Sequence, residues 1–563
     1  MTPGSSRPTL VLVVAALLWI GAFLYARSPT TDMPLLTGTL SWLGPWMCAI
    51  AFLAAGLLIL TDGSGWRWMV RLLSGRQWAL VVTMLAAVLT ARLALVPAQA
   101  RLYYDEHTYA EIARGIADQG RVQVATLGRI DDRGYTCEVC SYPHWPAAWP
   151  TLVAAALSID AQPLETARNL NLLLSLVGMI AVALLGAALY TGSHGVLAAI
   201  VYAGLPANAA WSRTGTAETL AACTAALAVL LALRYAGAPY PRNAWALAAL
   251  LAVAVQVRNE SLMLVAVCLM VIFARDGSQG LGAARWPAAV AAIILLPQAM
   301  HLGVLTHGYD PDLPGEVGFG LTHLTTNLGA LARYLAGEPV TTAALGLAFY
   351  GLVIATPRRV ALPLVAWLAL GMGPALFYFA GRVTLPGGER MLLAWLAPLS
   401  LGAAAGLVDL GRRVPALHPF VFGTLSATLF GIVLVWGAQH TASQDLETAI
   451  PRADTAFLRE ALADLPPDAL VITAVPALVL AEGRSAAFTP WAGCAPDALE
   501  GLAADAGGGL FYFIAPSVSP DRWTDGRECE AALLAATEVE TVRQVRTAAG
   551  RQGLYRLEVL EEE

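Results

Sequence analysis

The chain has 563 residues, of which 57% are hydrophobic and 13% are charged, and its mean hydropathy is +0.61. Soluble domains carry about 25% charged residues, so this composition excludes an ordinary soluble protein and predicts a polytopic membrane protein. The net charge is −6 and all 34 basic residues are arginines, a balance that gives no support for nucleic-acid binding.

The first apolar stretch, residues 10–26, predicts a retained membrane helix. It is longer than the apolar region of a usual signal peptide and lacks a clean small-residue cleavage site. Apolar stretches long enough to cross a bilayer core of about 30 Å then recur until about residue 437. We therefore predict a membrane domain over residues 1–439 with about 13 spanning helices.

The arginines predict the topology, because short loops rich in arginine stay on the cytoplasmic side. Segment 245–274 carries Arg258, Asn259 and Glu260 at its middle, and two short helices there keep the arginine bias consistent downstream. Predicted cytoplasmic arginines are Arg67, Arg71, Arg76, Arg234, Arg242, Arg275, Arg285, Arg358, Arg359, Arg412 and Arg413. Predicted external segments are residues 97–165, 213–218, 258–260, 301–339 and 382–390. Polar groups are thus expected to converge on the external face.

After the last predicted span, residues 421–437, the chain has ordinary polarity. We predict a small external α/β domain over residues 440–563. Its expected strands are 468–473, 509–514 and 553–559, and its expected helices are 456–465 and 528–536.

Two motifs in the first external segment carry chemistry. Asp105 and Glu106 follow an outward-going helix and face either water or a cleft; an Asp-Glu pair is also typical of a solvated helix start, with Asp105 as N-cap. The element from Tyr142 to Leu152 is rich in aromatic residues and proline, which suits the headgroup region and the entry of a lipid-carried substrate. Its simpler interpretation is an interfacial anchor.

These motifs resemble the GT-C superfamily of polyprenyl-phosphate-sugar-dependent transferases, especially bacterial relatives of protein O-mannosyltransferases and of the lipid A aminoarabinose transferase. The resemblance covers residues 81–407 and rests on short motifs. They are Asp105-Glu106 after a helix ending near Arg92, the element from His144 to Pro150, Ala167 to Asn171, Trp211 to Glu218, and Glu389-Arg390-Met391-Leu392. Two helices precede the family's usual first span, and Cys137-Glu138-Val139-Cys140 interrupts the first loop; both departures bear on the acceptor.

The resemblance implies transfer of a monosaccharide from a polyprenyl-phosphate carrier to an external lipid, glycan or protein acceptor, with inversion at the anomeric carbon. In that family the acid of the first external loop assists the acceptor nucleophile, which here corresponds to Asp105, with Glu106 beside it. A second acid at the external end of a later helix corresponds to Glu218. The implied location is the inner membrane, with the site and tail on its periplasmic or extracellular side.

The same chemistry can be argued from the residues. Sugar transfer from a lipid phosphate to a hydroxyl needs a base near the acceptor and positive charge at the departing phosphate. Arginine presents a fork of donors that matches a phosphate, and Arg390, Arg258 and Arg213 are expected at external helix ends. Snorkelling to lipid headgroups is the alternative for each. We expect the lipid groove near Tyr104, His144, Trp145 and Trp149.

The sequence requires no cofactor, although a divalent metal remains possible because it can neutralise phosphate. The possible metal ligands are His307 and Asp310, with Asp312 nearby. Cys137 with Cys140, and Cys494 with Cys529, predict disulfides in an oxidising compartment. A zinc knuckle of Cys137, Cys140 and His144 is the alternative and lacks a fourth ligand.

Two other functions fit a chain of this composition. A secondary transporter or flippase for a lipid-linked or anionic substrate also uses intramembrane charges and broken helices. No inverted repeat is evident, however, and the polar residues gather toward one face. A noncatalytic scaffold that binds a partner through its tail is the third possibility.

Overall fold

The computed structural model describes residues 6–96, 98, 101, 103–132, 134–159, 162–276, 281–306, 320–378, 381–384, 387–413, 431, 435, 437, 445–518, 526–547 and 549–560. Through residue 413 the described chain is almost entirely helical. Its helices are α1 (Ser6–Arg27), α2 (Met33–Leu60), α3 (Gly63–Leu72), α4 (Gly75–Leu95), α5 (Tyr103–Gln119), α6 (Ala148–Ala156), α7 (Pro163–Leu189), α8 (Gly192–Gly204), α9 (Pro206–Trp211), α10 (Glu218–Gly237), α11 (Pro241–Val257), α12 (Met263–Asp276), α13 (Leu281–Ile294), α14 (Leu296–Thr306), α15 (Leu324–Gly337), α16 (Pro339–Tyr350), α17 (Arg358–Phe377) and α18 (Leu396–Arg413).

The protein is a multi-pass membrane protein. Over the described residues, six helices are long and apolar enough to cross a bilayer, and the number rises to eight if each of two bent helix pairs forms one span. One pair, Arg285–Ile294 with Leu296–Leu305, bends by 48°, and the other, Leu321–Gly337 with Pro339–Ala355, bends by 105°. The predicted last span, residues 421–437, lies almost wholly outside the described residues. The number of 13 spans therefore stays a prediction.

The predicted break at Arg258 is confirmed. Helix α11 ends at Val257, Arg258 has extended backbone (φ −147°, ψ 132°), and a 3₁₀ turn, Asn259–Leu262, leads into α12. At this break Arg258 pairs with Glu260, which offsets the cost of placing charge within a membrane domain. Another 3₁₀ segment, Gly388–Trp395, leads into α18 in the same way.

The C-terminal part alternates strands and helices. They are α19 (Asp445–Ala463), β3 (Leu470–Thr473), α20 (Pro476–Ala481), β4 (Ser485–Phe488), α21 (Thr489–Cys494), α22 (Pro496–Asp505), β5 (Leu510–Ile514), α23 (Gly526–Ala535), β6 (Thr537–Thr547) and β7 (Gly550–Val559). Strand β3 pairs in parallel with both β4 and β5, whereas β7 pairs antiparallel with β5 and β6. The strands and helices predicted for the tail are present, together with β4 and β6, which the sequence did not reveal.

The sheet also contains a hairpin from the first predicted external segment. Strands β1 (Val124–Asp131) and β2 (Gly134–Ser141) pair antiparallel, and β1 pairs with β4, which gives the order β2-β1-β4-β3-β5-β7-β6. The amide of Ile130 also donates to Ser485 Oγ at 3.0 Å. The predicted loop and the predicted tail domain therefore share one sheet and one core.

Both predicted disulfides are present, one joining Cys137 to Cys140 and the other joining Cys494 to Cys529. The first closes a short loop in β2, and the second ties α21 to α23. In this form the sulfurs of Cys137 and Cys140 bond to each other rather than presenting thiolates to zinc.

Candidate active site

A cluster of five charged side chains lies where four segments meet. Arg390 Nη1 donates to Asp105 Oδ2 at 2.5 Å, and Arg390 Nε lies 3.7 Å from Glu218 Oε1. Arg258 Nη1 donates to the same Glu218 oxygen, and Arg258 Nη2 donates to Glu260 Oε1 at 2.7 Å. Glu218 thus stands between two guanidinium groups that would otherwise repel each other.

Each charged side chain is held at the end of a helix or at a helix break. Asp105 and Glu218 lie in the first turns of α5 and α10, where the helix dipole favours a carboxylate. Arg390 follows Gly387, whose φ of +76° favours glycine, and Gly388, where a Cβ atom would lie 2.1 Å from the Arg382 carbonyl oxygen. These two glycines let the chain turn sharply before Arg390.

The two arginines differ in the donors that they have left. Arg258 uses all three of its nitrogens, because Nε also donates to Glu260 Oε2 at 3.2 Å. Burial alone would lower the pKa of Arg258, but Glu260 and Glu218 hold it well above its ordinary value. Burial likewise opposes the charge of Glu260, yet Arg258 lowers the pKa of that carboxyl. Arg390 has one hydrogen bond within the described structure, so it keeps donors for an anion.

An open cleft of about 720 Å³ begins at this cluster and runs between α10, α12 and α17. Glu218, Arg258, Glu260 and Arg390 form its charged end. Its walls are apolar and are lined by Ala221, Ala225, Met263, Leu264, Val267, Trp367, Leu370, Gly371, Pro374, Ala375, Met391, Leu393 and Ala394. The shape and polarity suit a molecule with an anionic head and a long hydrocarbon tail.

Glu106, predicted beside Asp105 as a catalytic acid, points into the protein interior. Its side chain is fully buried and accepts hydrogen bonds from the backbone amides of Arg101 at 2.7 Å and Gly215 at 2.6 Å. Adjacent residues on a helix are about 100° apart, so Asp105 and Glu106 face different surroundings. Glu106 fastens the turn before α10 and so helps to position Glu218.

Arg213, predicted as a phosphate ligand, caps a helix. Its Nη1 atom donates to the backbone carbonyl of Val96 at 2.7 Å, at the C-terminal end of α4, where carbonyl groups lack helical partners. It belongs to the same turn as Gly215. The described contacts of Arg213 are those of a helix cap, and its phosphate role stays a prediction.

The four aromatic residues predicted to line the lipid groove lie outside the cleft, packed against one another. The rings of His144 and Trp145 stack with centroids 3.6 Å apart, and Tyr104 lies 5.6 Å from Trp145. Trp149 is fully buried, and its Nε1 donates to the Gly215 carbonyl at 2.7 Å. None of the four lines the cleft, so the apolar walls of α10, α12 and α17 replace them as the candidate groove.

The possible metal ligands His307 and Asp310, like Asp312, lie outside the described residues. Across the ranges that the structure describes, no group of three or more His, Cys, Asp or Glu side chains is arranged to hold a metal ion. A metal site involving His307, Asp310 and Asp312 stays an expectation from the sequence.

Two further residues of the site were not predicted. Glu260 was seen as part of a turn, but its bidentate contact with Arg258 was not expected. Tyr109 is buried one helical turn after Asp105; burial and then the charge of Glu218 raise the pKa of its hydroxyl well above the ordinary value. Tyr109 follows Asp105 by four residues, and residues four apart share a helix face, so this spacing could have indicated that Tyr109 lies near the cluster.

Helix α5, which carries Asp105, is also fixed to the C-terminal sheet. Arg114 Nη1 donates to the Leu480 carbonyl of α20 at 2.5 Å. Glu111 is buried, and its Oε1 atom accepts from the Ala125 amide at 2.6 Å and from the Tyr135 hydroxyl at 3.0 Å. The helix therefore joins the charged cluster at its start to the seven-stranded sheet further along.

Glu111 gives the fold a pH dependence. Burial raises the pKa of its carboxyl from an ordinary 4.5 to about 7, although its two hydrogen bonds offset part of the effect. The raised pKa means that Glu111 contributes most to stability below pH 4.5 and that this contribution is lost as the pH rises to 7. We expect Glu111→Gln, which keeps an acceptor oxygen, to flatten the pH dependence of the melting temperature in this range. Glu558→Gln, at an exposed position, should leave the profile unchanged; an unaltered slope in Glu111→Gln would contradict the assignment.

The family model described as dolichyl-phosphate-mannose-protein mannosyltransferase matches residues 145–303. No curated protein matches the chain significantly. Among solved structures, ArnT from Cupriavidus metallidurans bound to undecaprenyl phosphate is 13% identical; the match covers 86% of this chain and 98% of that chain, with a TM-score of 0.54. Its apo structure is 15% identical, with coverage of 84% and 97% and the same TM-score. The oligosaccharyltransferase AglB from Archaeoglobus fulgidus is 12% identical, covers 85% and 74%, and has a TM-score of 0.49.

The structural match spans nearly the whole of ArnT. The family model independently covers α6 to α13 and most of α14, with Glu218 and Arg258 inside the matched range. The fold is thus similar to that of ArnT, and the match to the mannosyltransferase family over residues 145–303 supports the predicted resemblance to the GT-C superfamily.

Proposed function

We propose that the protein transfers a monosaccharide from a polyprenyl-phosphate carrier to an acceptor on the external face of the inner membrane. The single observation that carries the proposal is the contact of Arg390 with Asp105 and its approach to Glu218 at the charged end of an apolar cleft. Arg390, which would bind the phosphate, and Asp105, which would accept the proton, thus lie side by side. The related ArnT structure with undecaprenyl phosphate supports a donor of this class.

In the proposed reaction the acceptor hydroxyl attacks the anomeric carbon of the sugar while Asp105 takes the hydroxyl proton. The bond between the anomeric carbon and the phosphate oxygen breaks, and its electron pair stays on the phosphate. The products are the glycosylated acceptor, with inverted configuration, and the polyprenyl monophosphate. Arg390 stabilises the charge that accumulates on the phosphate, as positioned donors do in other transferases.

The remaining residues position these two groups. Glu218 keeps Arg390 and Arg258 side by side, and Arg258 holds Glu218 through a hydrogen bond and an ion pair. Glu106 and Trp149 fasten the turn at Gly215 that leads into Glu218. The donor tail is assigned to the cleft between α10, α12 and α17 because this cleft is apolar and opens directly from the cluster.

The direct test is to incubate the purified full chain with a panel of radiolabelled polyprenyl-phosphate sugars and to measure release of the free carrier. Release that depends on an added lipid, glycan or protein acceptor would identify both substrates. Absence of release with every donor and acceptor in the panel, in a protein that binds polyprenyl phosphate, would count against the transferase.

The tail-binding cleft can be tested by filling it. Leu370 lines the cleft on α17, whereas Leu362 on the same helix is 60% exposed on the lipid-facing surface. We expect Leu370→Trp to reduce kcat/KM about tenfold or more for a long-chain donor, with a smaller loss for a short-chain analogue, since a methylene-scale clash already costs 1–3 kcal/mol. Leu362→Trp is the matched control. Equal losses of kcat/KM for both chain lengths would show that the donor tail binds outside this cleft.

A further inference from the structure

A second cavity lies between the same helices at the opposite end of the bundle from the charged cluster. It has an open volume of about 860 Å³ and adds the end of α7 to α10, α12 and α17. Its walls include Val229, Leu233, Val271 and Pro363. Arg275 and Arg359 stand at its rim, at the end of α12 and the start of α17.

The two cavities follow one continuous face of α10. Glu218, Ala221 and Ala225 line the first, and Val229 and Leu233 line the second. Residues three or four apart share a helix face, so these five positions form one stripe. Fifteen residues of helix rise by roughly 22 Å, which is most of the thickness of a bilayer core. The second cavity therefore opens near the other membrane surface.

The two arginines at this cavity have no ion-pair partner among the side chains that the structure describes. Both side chains are exposed, and neither makes a hydrogen bond or ion pair with any residue of the described ranges. Other arginines predicted at this end are neutralised: Arg234 Nη2 lies 2.5 Å from Asp62, and Arg413 Nε lies 2.7 Å from Asp409. The cavity thus combines apolar walls with two guanidinium groups that have no carboxylate partner among the described residues.

We propose that this cavity binds an anionic phospholipid of the cytoplasmic leaflet, with its phosphate headgroup between Arg275 and Arg359 and an acyl chain against Val229 and Leu233. Arginine provides paired donors for phosphate oxygens, and basic pockets between membrane helices on the cytoplasmic side bind anionic headgroups. The apolar middle of the stripe prevents the headgroup from crossing toward Arg390. The site is therefore separate from the proposed donor site and does not depend on the transferase activity.

Native mass spectrometry of the full detergent-solubilised chain tests the proposal. Phosphatidylglycerol, cardiolipin, phosphatidylethanolamine and inorganic phosphate are titrated separately. We expect the anionic lipids to bind, and the variant Arg275→Gln/Arg359→Gln to weaken their binding by roughly tenfold or more. Phosphatidylethanolamine should bind more weakly, and inorganic phosphate should not compete, because it has no acyl chain.

Matched variants distinguish this site from general surface charge. Arg358→Gln removes a neighbouring exposed arginine that does not line the cavity and should leave lipid binding unchanged. Val229→Trp fills the cavity without altering charge and should weaken binding in the same way as the double variant, which keeps the test valid if the double variant folds poorly. Wild-type affinity in Val229→Trp, an equal loss in Arg358→Gln, or equal binding of phosphatidylethanolamine would overturn the proposal.

Discussion

Replacing Asp105 by asparagine is expected to reduce sugar transfer by about 10²- to 10⁴-fold, the usual contribution of a positioned base, while donor binding is retained. Asparagine keeps an oxygen that can accept from Arg390 Nη1, so the geometry of the cluster is preserved and the ability to take a proton is lost. The measurement is single-turnover release of carrier together with the equilibrium affinity for the polyprenyl-phosphate sugar.

Asp132 provides the control for this experiment, because it is an exposed acid in the turn of the β1–β2 hairpin, away from the cluster. Asp132→Asn should have wild-type turnover. If Asp105→Asn transfers sugar at the wild-type rate, Asp105 is not the base. If it loses donor affinity and turnover equally, the carboxylate serves mainly to position Arg390.

Removal of the Arg390 guanidinium should affect both donor affinity and the chemical step. We expect Arg390→Gln to lower kcat by about 10²- to 10³-fold and to raise the donor KM, because a donor to the departing phosphate is lost. Arg390→Lys keeps the charge but not the fork of donors, and we expect intermediate values. Steady-state kinetics with a fixed acceptor and varied donor separate the two effects.

Arg382→Gln is the corresponding control, since Arg382 is exposed and precedes the same 3₁₀ segment. It should retain the wild-type kcat and KM. A selective loss of donor affinity in Arg258→Gln, with normal kinetics in Arg390→Gln, would show that the phosphate binds the other arginine of the cluster.

The sequence predicted the charged cluster better than its surroundings. Acids and arginines at helix ends on one predicted membrane face were expected to converge, and Asp105, Glu218, Arg258 and Arg390 do so. Hydropathy and arginine bias predict the common face because charge is expelled from the bilayer core toward its surfaces, and the family resemblance singled out Asp105 and Glu218. The break at Arg258 followed from the same reasoning.

Side-chain direction could not be predicted in the same way. Glu106 is next to Asp105 in sequence, but the helix turns it toward the amide of Gly215. Trp145 and Trp149 have the composition of a membrane-interface anchor, yet they pack into the interior. Composition indicates the depth of a residue in the membrane, whereas its contacts depend on helix rotation and on residues distant in the chain.

The seven-stranded sheet imposes an order on biosynthesis. The amide of Ile130 in β1 donates to Ser485 of β4, which is synthesised 355 residues later in the chain. Until β4 is synthesised, the hairpin presents an unpaired edge of the kind that promotes aggregation. A chain shortened before β4 would keep every helix of the bundle through α18 but would expose this edge permanently, so quality control of the nascent protein should be sensitive to its last quarter.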